Sequence, residues 1–258
     1  MLKMDIQGKV FICTSADGFI SRENGDIDWL DKVNKFLPNG EDLGWKKFQA
    51  SCKVIVMGRK TFEKVRAMEL PAWPYQKPIV VLTRNAKFLE EEQKIKPLPS
   101  TPSQRVTQIL PGESLTQLMT RLQAEYGLSA FVKDAGVYID GGATIRAFLE
   151  EDLIRDMIVT VAPVLLGKGI PLFAGLSGGD RKLQLINTKK WSCGFVQNTF
   201  SVIYKLPKHI ESMLDNFPAG GPSRWPPAGG PPKPPTKETP NTTKTKTKTL
   251  DQNQNTFF

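Results

Sequence analysis

The feature that most constrains the fold is the alternation of short apolar segments with longer amphipathic segments through the first 164 residues. Runs such as VIV and IVVL lack polar positions, which is typical of strands covered on both faces. The predicted strands are 9–15, 53–58, 78–83, 136–140 and 156–164, and the predicted helices are 41–52, 59–65, 114–127 and 143–152. Strands that alternate with helices predict an α/β fold with a mostly parallel central sheet.

The rest of the chain departs from this alternation. Residues 182–206, KLQLINTKKWSCGFVQNTFSVIYKL, predict an antiparallel C-terminal hairpin at one sheet edge. Beyond them the chain becomes rich in Pro, Lys and Thr and poor in aliphatic residues. Such a segment buries too little surface to offset its ordering entropy. We therefore expect one folded domain over residues 1–208 and a disordered tail over 209–258, which is either a solvated extension or a proline-rich ligand or polyanion tether.

Charge and residue counts exclude several classes of chemistry. The formal net charge is +9, which suits phosphorylated small molecules, nucleic acid or an acidic membrane surface. The three cysteines are widely spaced, which favours a reducing compartment, and we expect a cytoplasmic protein without a membrane span. With His209 as the single histidine, a Ser-His-Asp triad and a His-rich zinc site are set aside. No metal is expected.

The junction VIVMGRKT joins a predicted strand to a predicted helix and has the composition of a phosphate site. Gly58 allows a ligand to approach the backbone closely, and the helix start offers unpaired N–H groups. Arg59, Lys60 and Thr61 add two cations and a hydroxyl. The alternative for this segment alone is a solvated basic turn.

Two further strand ends repeat this design. In YIDGGAT a strand is followed by Gly141 and Gly142, and a helix opens at Ala143 and Thr144. A third strand end, VVLTR, carries Thr83 and Arg84. Two phosphate-capable helix starts suit a pyrophosphate, although neither segment has a Rossmann fingerprint or a Walker loop.

Several segments, in order along residues 8–206, resemble the dihydrofolate reductase superfamily. These segments are TSADGFIS, NGDIDWL, EDLGWKKF, VIVMGRKTFEKV, VVLTR, YIDGGATIRAFL and IVTVAPVLLGKGIPLF. The resemblance is closest to the bacterial dihydrofolate reductase-like and riboflavin-biosynthesis reductase C-terminal domain family. It implies a dihydrofolate reductase-like three-layer fold, NADPH as cofactor and a possible homodimer.

The resemblance also implies a cofactor site. Residues 58–61 would bind the cofactor phosphates, with Arg59 near the 2′-phosphate, and residues 141–144 would form the second pyrophosphate turn. Thr83 and Arg84 would lie on the adenosine side. The segment 15–21 would form a mobile loop over the nicotinamide, with backbone groups of Ala16 and Ile20 at the ring.

The substrate side is implied to contain a carboxylate and a hydroxyl. Asp42 lies in the register of the family's pocket acid, and Thr160 in that of its hydroxyl partner. Without the resemblance Asp42 would be read as an acid at a helix N-terminus. Asp28 and Asp26 are competing acids whose alternative is a solvated loop. Trp29 and Trp45 could stack on a flat heterocycle or belong to the core.

These observations predict an NADPH-dependent reductase that transfers hydride to a small pterin- or pyrimidine-like heterocycle. One alternative is the riboflavin-pathway 5-amino-6-(5-phosphoribosylamino)uracil reductase. An alternative from another class is a basic nucleic-acid-binding or scaffold protein, motivated by the pI near 9.4. The chain lacks the interleaved aromatic and basic residues of RNA-binding modules, so neither nucleic acid nor membrane is expected as a partner.

Overall fold

The computed structural model describes residues 8–68, 73–98, 102–128, 135–177 and 180–204. The predicted tail, 209–258, lies outside these residues. The strands are β1 (Gly8–Thr14), β2 (Phe19–Ser21), β3 (Cys52–Gly58), β4 (Ile79–Leu82), β5 (Val106–Gln108), β6 (Gly136–Asp140), β7 (Ile154–Val161), β8 (Ile170–Pro171), β9 (Lys182–Lys190) and β10 (Val196–Ile203). The helices are α1 (Asp28–Asn34), α2 (Trp45–Ala50), α3 (Arg59–Ala67), α4 (Phe88–Ile95), α5 (Leu115–Tyr126) and α6 (Gly142–Glu150), with a 3₁₀ turn at Pro102–Gln104.

Eight strands form one sheet in the order β5-β4-β3-β6-β1-β7-β10-β9. The pairs from β5 to β7 are parallel, whereas β10 pairs antiparallel with both β7 and β9. β2 and β8 form a separate two-stranded sheet. The predicted mostly parallel sheet with an antiparallel C-terminal hairpin is confirmed.

Successive residues of β3 point to opposite faces of the sheet, and each face has its own apolar layer. Val54 and Val56 pack with Leu118 and Met119 of α5 in one cluster, which also includes residues of α6. Ile55 and Met57 pack on the other face with Phe48 of α2 and Phe62 of α3, in a second cluster. Helices therefore cover both faces, and the continuous apolar runs of the sequence have this cause.

One segment that the sequence analysis treated as a loop is helical. Asp28–Asn34 forms α1, in which Trp29 and Val33 are one turn apart and both buried. A single pair of apolar residues four positions apart is too short a pattern to predict a helix from the sequence. α1 places Trp29 in a third apolar cluster with Ala162 and Phe195.

The described residues contain no helix that is both long and apolar enough to cross a bilayer. Nor do they contain a group of three or more His, Cys, Asp or Glu residues arranged to hold a metal ion.

Candidate active site

Two strand-to-helix turns from neighbouring strands interlock at the carboxyl edge of the sheet. β3 ends at Gly58 and β6 ends just before Gly141, and the two strands are hydrogen-bonded neighbours. A Cβ at Gly58 would lie 3.0 Å from Oγ1 of Thr144, and a Cβ at Gly141 would overlap Oγ1 of Thr61. Each glycine thus faces the threonine of the other turn, so the two segments predicted as phosphate turns lie together.

Both turns open helices whose first N–H groups are free of side-chain caps. α3 starts after Gly58 and α6 after Gly141, and neither residue preceding the helix makes a side-chain hydrogen bond to it. Gly141 has a φ of 91°, which favours glycine. The unpaired N–H groups and the helix dipoles make this edge attractive to anions.

The cations of the first turn lie at the surface. Arg59 and Lys60 are exposed. The Arg59 guanidinium is 3.5 Å from Glu63 and 6.0 Å from the ring centroid of Phe88, the first residue of α4. Arg59 therefore extends from α3 towards the loop that follows β4.

That loop contains the third predicted pair. Thr83 lies directly after β4, and its Oγ1 accepts a hydrogen bond from the N–H of Asn85 at 3.1 Å. Arg84 is exposed beside it. Because β4 pairs with β3, Thr83 and Arg84 lie on the same sheet edge as Gly58.

The loop between β1 and β2 is fixed to the segment after β7. Asp17 accepts hydrogen bonds from the N–H groups of Leu166 and Gly167 at 3.1 and 2.7 Å, and from the Ser15 hydroxyl at 2.6 Å. The Ser15 hydroxyl, followed by these backbone donors, lowers the pKa of Asp17. The N–H of Ala16 donates to the carbonyl of Val164 at 2.8 Å, so of its two backbone groups the carbonyl is the one left for a ligand.

Ile20 connects this loop to the second turn. A Cβ at Gly142 would lie 2.6 Å from Cδ1 of Ile20. The absence of a side chain at Gly142 is therefore what lets Ile20 lie on the start of α6. The structure brings Ile20 and the two glycine turns together.

Asp42 occupies the N-terminal side of α2. Its Oδ1 accepts from the N–H of Gly44 at 2.9 Å and its Oδ2 from the N–H of Lys46 at 3.0 Å. These backbone donors lower the pKa of Asp42. These contacts are those of an acid at a helix N-terminus, and they keep Asp42 as a charged hydrogen-bond acceptor.

Thr160 is buried on β7, with 1% of its surface exposed. A single side chain, Gln197, connects it to Leu43, the residue after Asp42. Nε2 of Gln197, on β10, donates to Oγ1 of Thr160 and to the carbonyl of Leu43, both at 2.9 Å. Gln197 thus joins the two predicted substrate-side segments.

Asp28 is held in ion pairs at the start of α1. Its carboxylate accepts from Arg22 Nε at 2.5 Å and from Lys32 Nζ at 3.0 Å. These hydrogen bonds strongly lower the pKa of Asp28. Neighbouring Asp26 is paired with Lys64 of α3 at 2.5 Å. Both acids therefore connect the loop to helices.

Asp140, the last residue of β6, was not predicted from the sequence as a site residue. It accepts a hydrogen bond from the hydroxyl of Tyr75 at 3.3 Å, and burial raises the pKa of its carboxyl group. It immediately precedes Gly141 of the second turn. The available signal was the acid within YIDGG, but its hydrogen-bond donor, Tyr75, comes from a different loop.

Trp45, the first residue of α2, belongs to an aromatic cluster that contains Tyr75, the hydrogen-bond donor to Asp140. The Trp45 ring centroid lies 6.5 Å from that of Tyr75 and 5.6 Å from that of Tyr138, in edge-on contacts. Trp45 also packs against Phe11 of β1 at 5.4 Å. Trp45 thus belongs to an aromatic layer next to Asp140, whereas Trp29 is 1% exposed in the third apolar cluster.

The sheet order, the helical layers and the interlocked glycine turns define the class: a dihydrofolate reductase-like α/β domain. The family model described as the RibD C-terminal domain matches residues 8–197, and the chain belongs to that family. The match covers β1 to the start of β10 and therefore includes every site residue named above.

Known proteins and structures agree with this assignment. The chain is 34% identical to the uncharacterized protein YwjB of Bacillus subtilis over 191 residues, 73% of this chain and 94% of that protein. It is similar in structure to a protein of Shewanella sp. PV-4 that has been proposed to belong to riboflavin biosynthesis, with a TM-score of 0.61 and 31% identity over 77% of this chain and 99% of that one. A deaminase and 5-amino-6-(5-phosphoribosylamino)uracil reductase of Thermotoga maritima shares the fold, with a TM-score of 0.55 and 15% identity over 77% of this chain and 57% of that one.

Proposed function

We propose that this protein is an NADPH-dependent reductase that transfers hydride to a small pterin- or pyrimidine-like heterocycle. The observation that carries the proposal is the interlocking of the turns at Gly58 and Gly141. Two uncapped helix starts on adjacent strands suit the two phosphates of a dinucleotide. The related proteins named for riboflavin biosynthesis support a reductase of that type.

The residues present fit a dinucleotide, because two helix starts without side-chain caps lie on adjacent strands beside the exposed cations Arg59 and Lys60. Residues 58–61 and 141–144 would hold the pyrophosphate, and Arg59 would contact the 2′-phosphate. Thr83 and Arg84 would flank the adenosine, and the Ala16 carbonyl and Ile20 would border the nicotinamide. When bound, the cofactor supplies the hydride.

On the substrate side, two carboxylates would have different roles. Asp42, ionised at the N-terminus of α2, would accept hydrogen bonds from ring N–H groups and orient the substrate, with Thr160 as its partner. Asp140, whose pKa is raised by burial, is better suited than Asp42 to hold a proton for transfer. Asp28 is assigned to the structure of the loop rather than to the chemistry.

A narrower candidate is the riboflavin-pathway 5-amino-6-(5-phosphoribosylamino)uracil reductase. It is favoured by the family assignment, and it requires a second phosphate site for the substrate. Lys60 and Arg84, exposed at the same sheet edge, are the cations that could serve it. The ribose phosphate should then increase affinity over the free pyrimidine.

We also propose that the protein forms a homodimer through the edge strand β9. Every residue of the edge strand β9 is exposed, and Leu183, Leu185 and Ile186 have exposed fractions of 40%, 55% and 58%. Burial of these side chains against a second copy would remove apolar surface from water. Light scattering on the purified protein tests this, and Leu185→Lys should shift the mass towards a monomer.

The proposed function is tested by following NADPH oxidation with a panel of pterins, pyrimidines and quinones, together with NADPH titration. Oxidation with a pterin or pyrimidine supports the proposal. Absence of NADPH binding, combined with tight DNA or RNA binding that weakens steeply with salt, would establish the nucleic-acid alternative instead.

A further inference from the structure

The turn that leads from Asp42 into α2 has a strained backbone. Leu43 has a φ of 55°, in the left-handed region that a non-glycine residue seldom adopts. A residue stays in this conformation only where its surroundings hold it there. The peptide that follows Leu43 carries the N–H of Gly44, which donates to Oδ1 of Asp42 at 2.9 Å. The conformation of Leu43 therefore decides whether Asp42 keeps this hydrogen bond.

Side chains hold both backbone groups of Leu43. Its N–H donates to Oε1 of Glu41 at 2.8 Å, and its carbonyl accepts from Nε2 of Gln197 at 2.9 Å. The other oxygen of Glu41, Oε2, accepts from Nε1 of Trp191 at 2.8 Å. Glu41 thus serves two donors with its two oxygens, and a carboxylate is the acidic group that can do so.

The Glu41–Trp191 contact joins residues 150 positions apart in the chain. Trp191 directly follows β9, and its N–H donates to the carbonyl of Phe195 at 3.0 Å, which closes the turn between β9 and β10. Lys189 Nζ lies 3.7 Å from Glu41 Oε2 and 4.2 Å from the ring centroid of Trp191. The hydrogen bond from Trp191 is the main cause of the lowered pKa of Glu41. The C-terminal hairpin therefore holds an ionised Glu41 beside the strained turn.

We propose that Glu41 and Trp191 are positioning residues, which keep Leu43 in its left-handed conformation and thereby hold Asp42 in the orientation in which it meets the substrate. The proposal rests on the proposed function in one respect, because it takes Asp42 as the group that orients the heterocycle. The geometry of the turn can be tested without any substrate.

The first test follows the carboxyl carbon of Asp42 by ¹³C NMR across pH, in the full-length protein, with the signal assigned from the Asp42→Asn variant. The backbone N–H groups of Lys46 and Gly44 lower the pKa of Asp42. Trp191→Phe keeps an aromatic ring but removes the indole N–H, so Leu43 should relax. The N–H of Gly44 should then move away, and the pKa of Asp42 should rise towards its ordinary value.

Charge changes do not complicate this measurement. The charged groups that face Asp42 are Lys46, on α2, and Glu41, in the turn. Trp191→Phe alters neither of them, so a change in the pKa of Asp42 reports a change in its hydrogen bonds. A general loss of stability would lower the melting temperature without this change.

A second substitution tests the part assigned to Leu43. Asparagine adopts the left-handed region more readily than leucine does. In a Leu43→Asn background the turn depends less on Glu41, so Trp191→Phe should shift the pKa of Asp42 less than it does in the wild-type background. Equal shifts in the two backgrounds would overturn the role of the strained turn.

The substrate side is tested with 5,6-diaminouracil, a flat pyrimidine with ring N–H groups, by isothermal titration calorimetry. Trp191→Phe and Glu41→Gln should each weaken its binding by about threefold to tenfold, because Asp42 is less well aligned with those groups. Glu41→Gln leaves one acceptor oxygen for two donors. NADPH affinity should not change in either variant, because neither residue belongs to the proposed cofactor site.

Matched controls lie away from the turn. Trp73→Phe removes an indole N–H that has no hydrogen-bond partner among the described residues, and Glu90→Gln removes an exposed carboxylate on α4. Both should leave the pKa of Asp42 and the affinity for 5,6-diaminouracil unchanged.

Two further outcomes would overturn the positioning role. One is an unchanged pKa of Asp42 in Trp191→Phe, and the other is an unchanged affinity of that variant for 5,6-diaminouracil where Asp42→Asn loses affinity. If the wild-type protein binds neither NADPH nor 5,6-diaminouracil, the proposed function is contradicted, and the NMR titration still decides whether Glu41 and Trp191 position Asp42.

Discussion

Thr61 Oγ1 occupies the space that a side chain at Gly141 would need, which locks the first glycine turn against the second. The contact joins residues eighty positions apart in the chain, on two adjacent strands. It aligns the starts of α3 and α6, and the proposed cofactor site depends on that alignment.

Gly141→Ala should therefore lose NADPH affinity by tenfold or more and lower the melting temperature, because the new methyl group displaces Thr61 and the φ of 91° becomes strained. Gly127→Ala is the matched control. Its φ is 60° and nothing lies within 4 Å of the new Cβ, so it should cost only about 1 kcal/mol of stability and leave NADPH binding intact. Equal effects of the two substitutions would contradict the steric argument.

Arg59→Ala should reduce the preference for NADPH over NADH. A charge-assisted contact with the 2′-phosphate contributes about 1.5–3 kcal/mol, or roughly tenfold to a hundredfold in affinity. Cofactor fluorescence titration measures both affinities. Lys53→Ala, which removes an exposed cation near the opposite end of β3, should leave the ratio unchanged. An unaltered ratio in Arg59→Ala would remove that residue from the cofactor site.

Asp140→Asn should lower turnover by roughly a hundredfold to ten-thousandfold, the usual range for acid–base assistance. In the wild-type enzyme the donor is active while protonated, so turnover should fall as pH rises through the raised pKa of Asp140. The variant should lack that limb of the profile. Asp42→Asn should mainly raise KM, because an ionised acceptor orients the substrate, and Asp28→Asn should leave turnover nearly unchanged. If the Asp140→Asn variant kept the full rate, a different group would have to be the proton donor.

The raised pKa of Asp140 also predicts that the free energy of unfolding depends on pH, which can be measured without any substrate. With its pKa raised in the folded state, the native protein holds this proton more tightly than the unfolded chain does. The contribution of Asp140 to the free energy of unfolding should thus be largest below the ordinary carboxyl pKa and fall as pH rises through the folded pKa. Urea unfolding across pH should show this decline in the wild-type protein and less of it in Asp140→Asn.

Truncation after Lys208 should change neither the melting temperature nor NADPH affinity appreciably, because the composition of residues 209–258 cannot support a packed core. Differential scanning calorimetry and cofactor titration of the two proteins provide the comparison. A drop of many degrees would mean that the tail contributes to the folded domain.

The sequence by itself determined the layered α/β fold. Continuous apolar runs can be buried only when helices cover both faces, and the glycines at 58 and 141 mark where those strands turn into helices. It also identified the two glycine turns, 58–61 and 141–144, that are proposed to hold the cofactor phosphates. The sequence did not predict α1 or β8. The apolar repeat of α1 spans a single turn and β8 has two residues, so neither has a recognisable hydrophobic pattern.

The tertiary structure alone decided the chemistry of the carboxylates and the hydroxyl. Asp42 and Asp140 are alike in sequence, yet backbone donors lower the pKa of one and burial raises that of the other. The buried oxygen of Thr160 accepts a hydrogen bond from Gln197, which is thirty-seven residues away in the chain. Such properties arise from neighbours that meet only after folding, since a pKa and a hydrogen-bond direction depend on the surroundings of a group and not on its place in the chain.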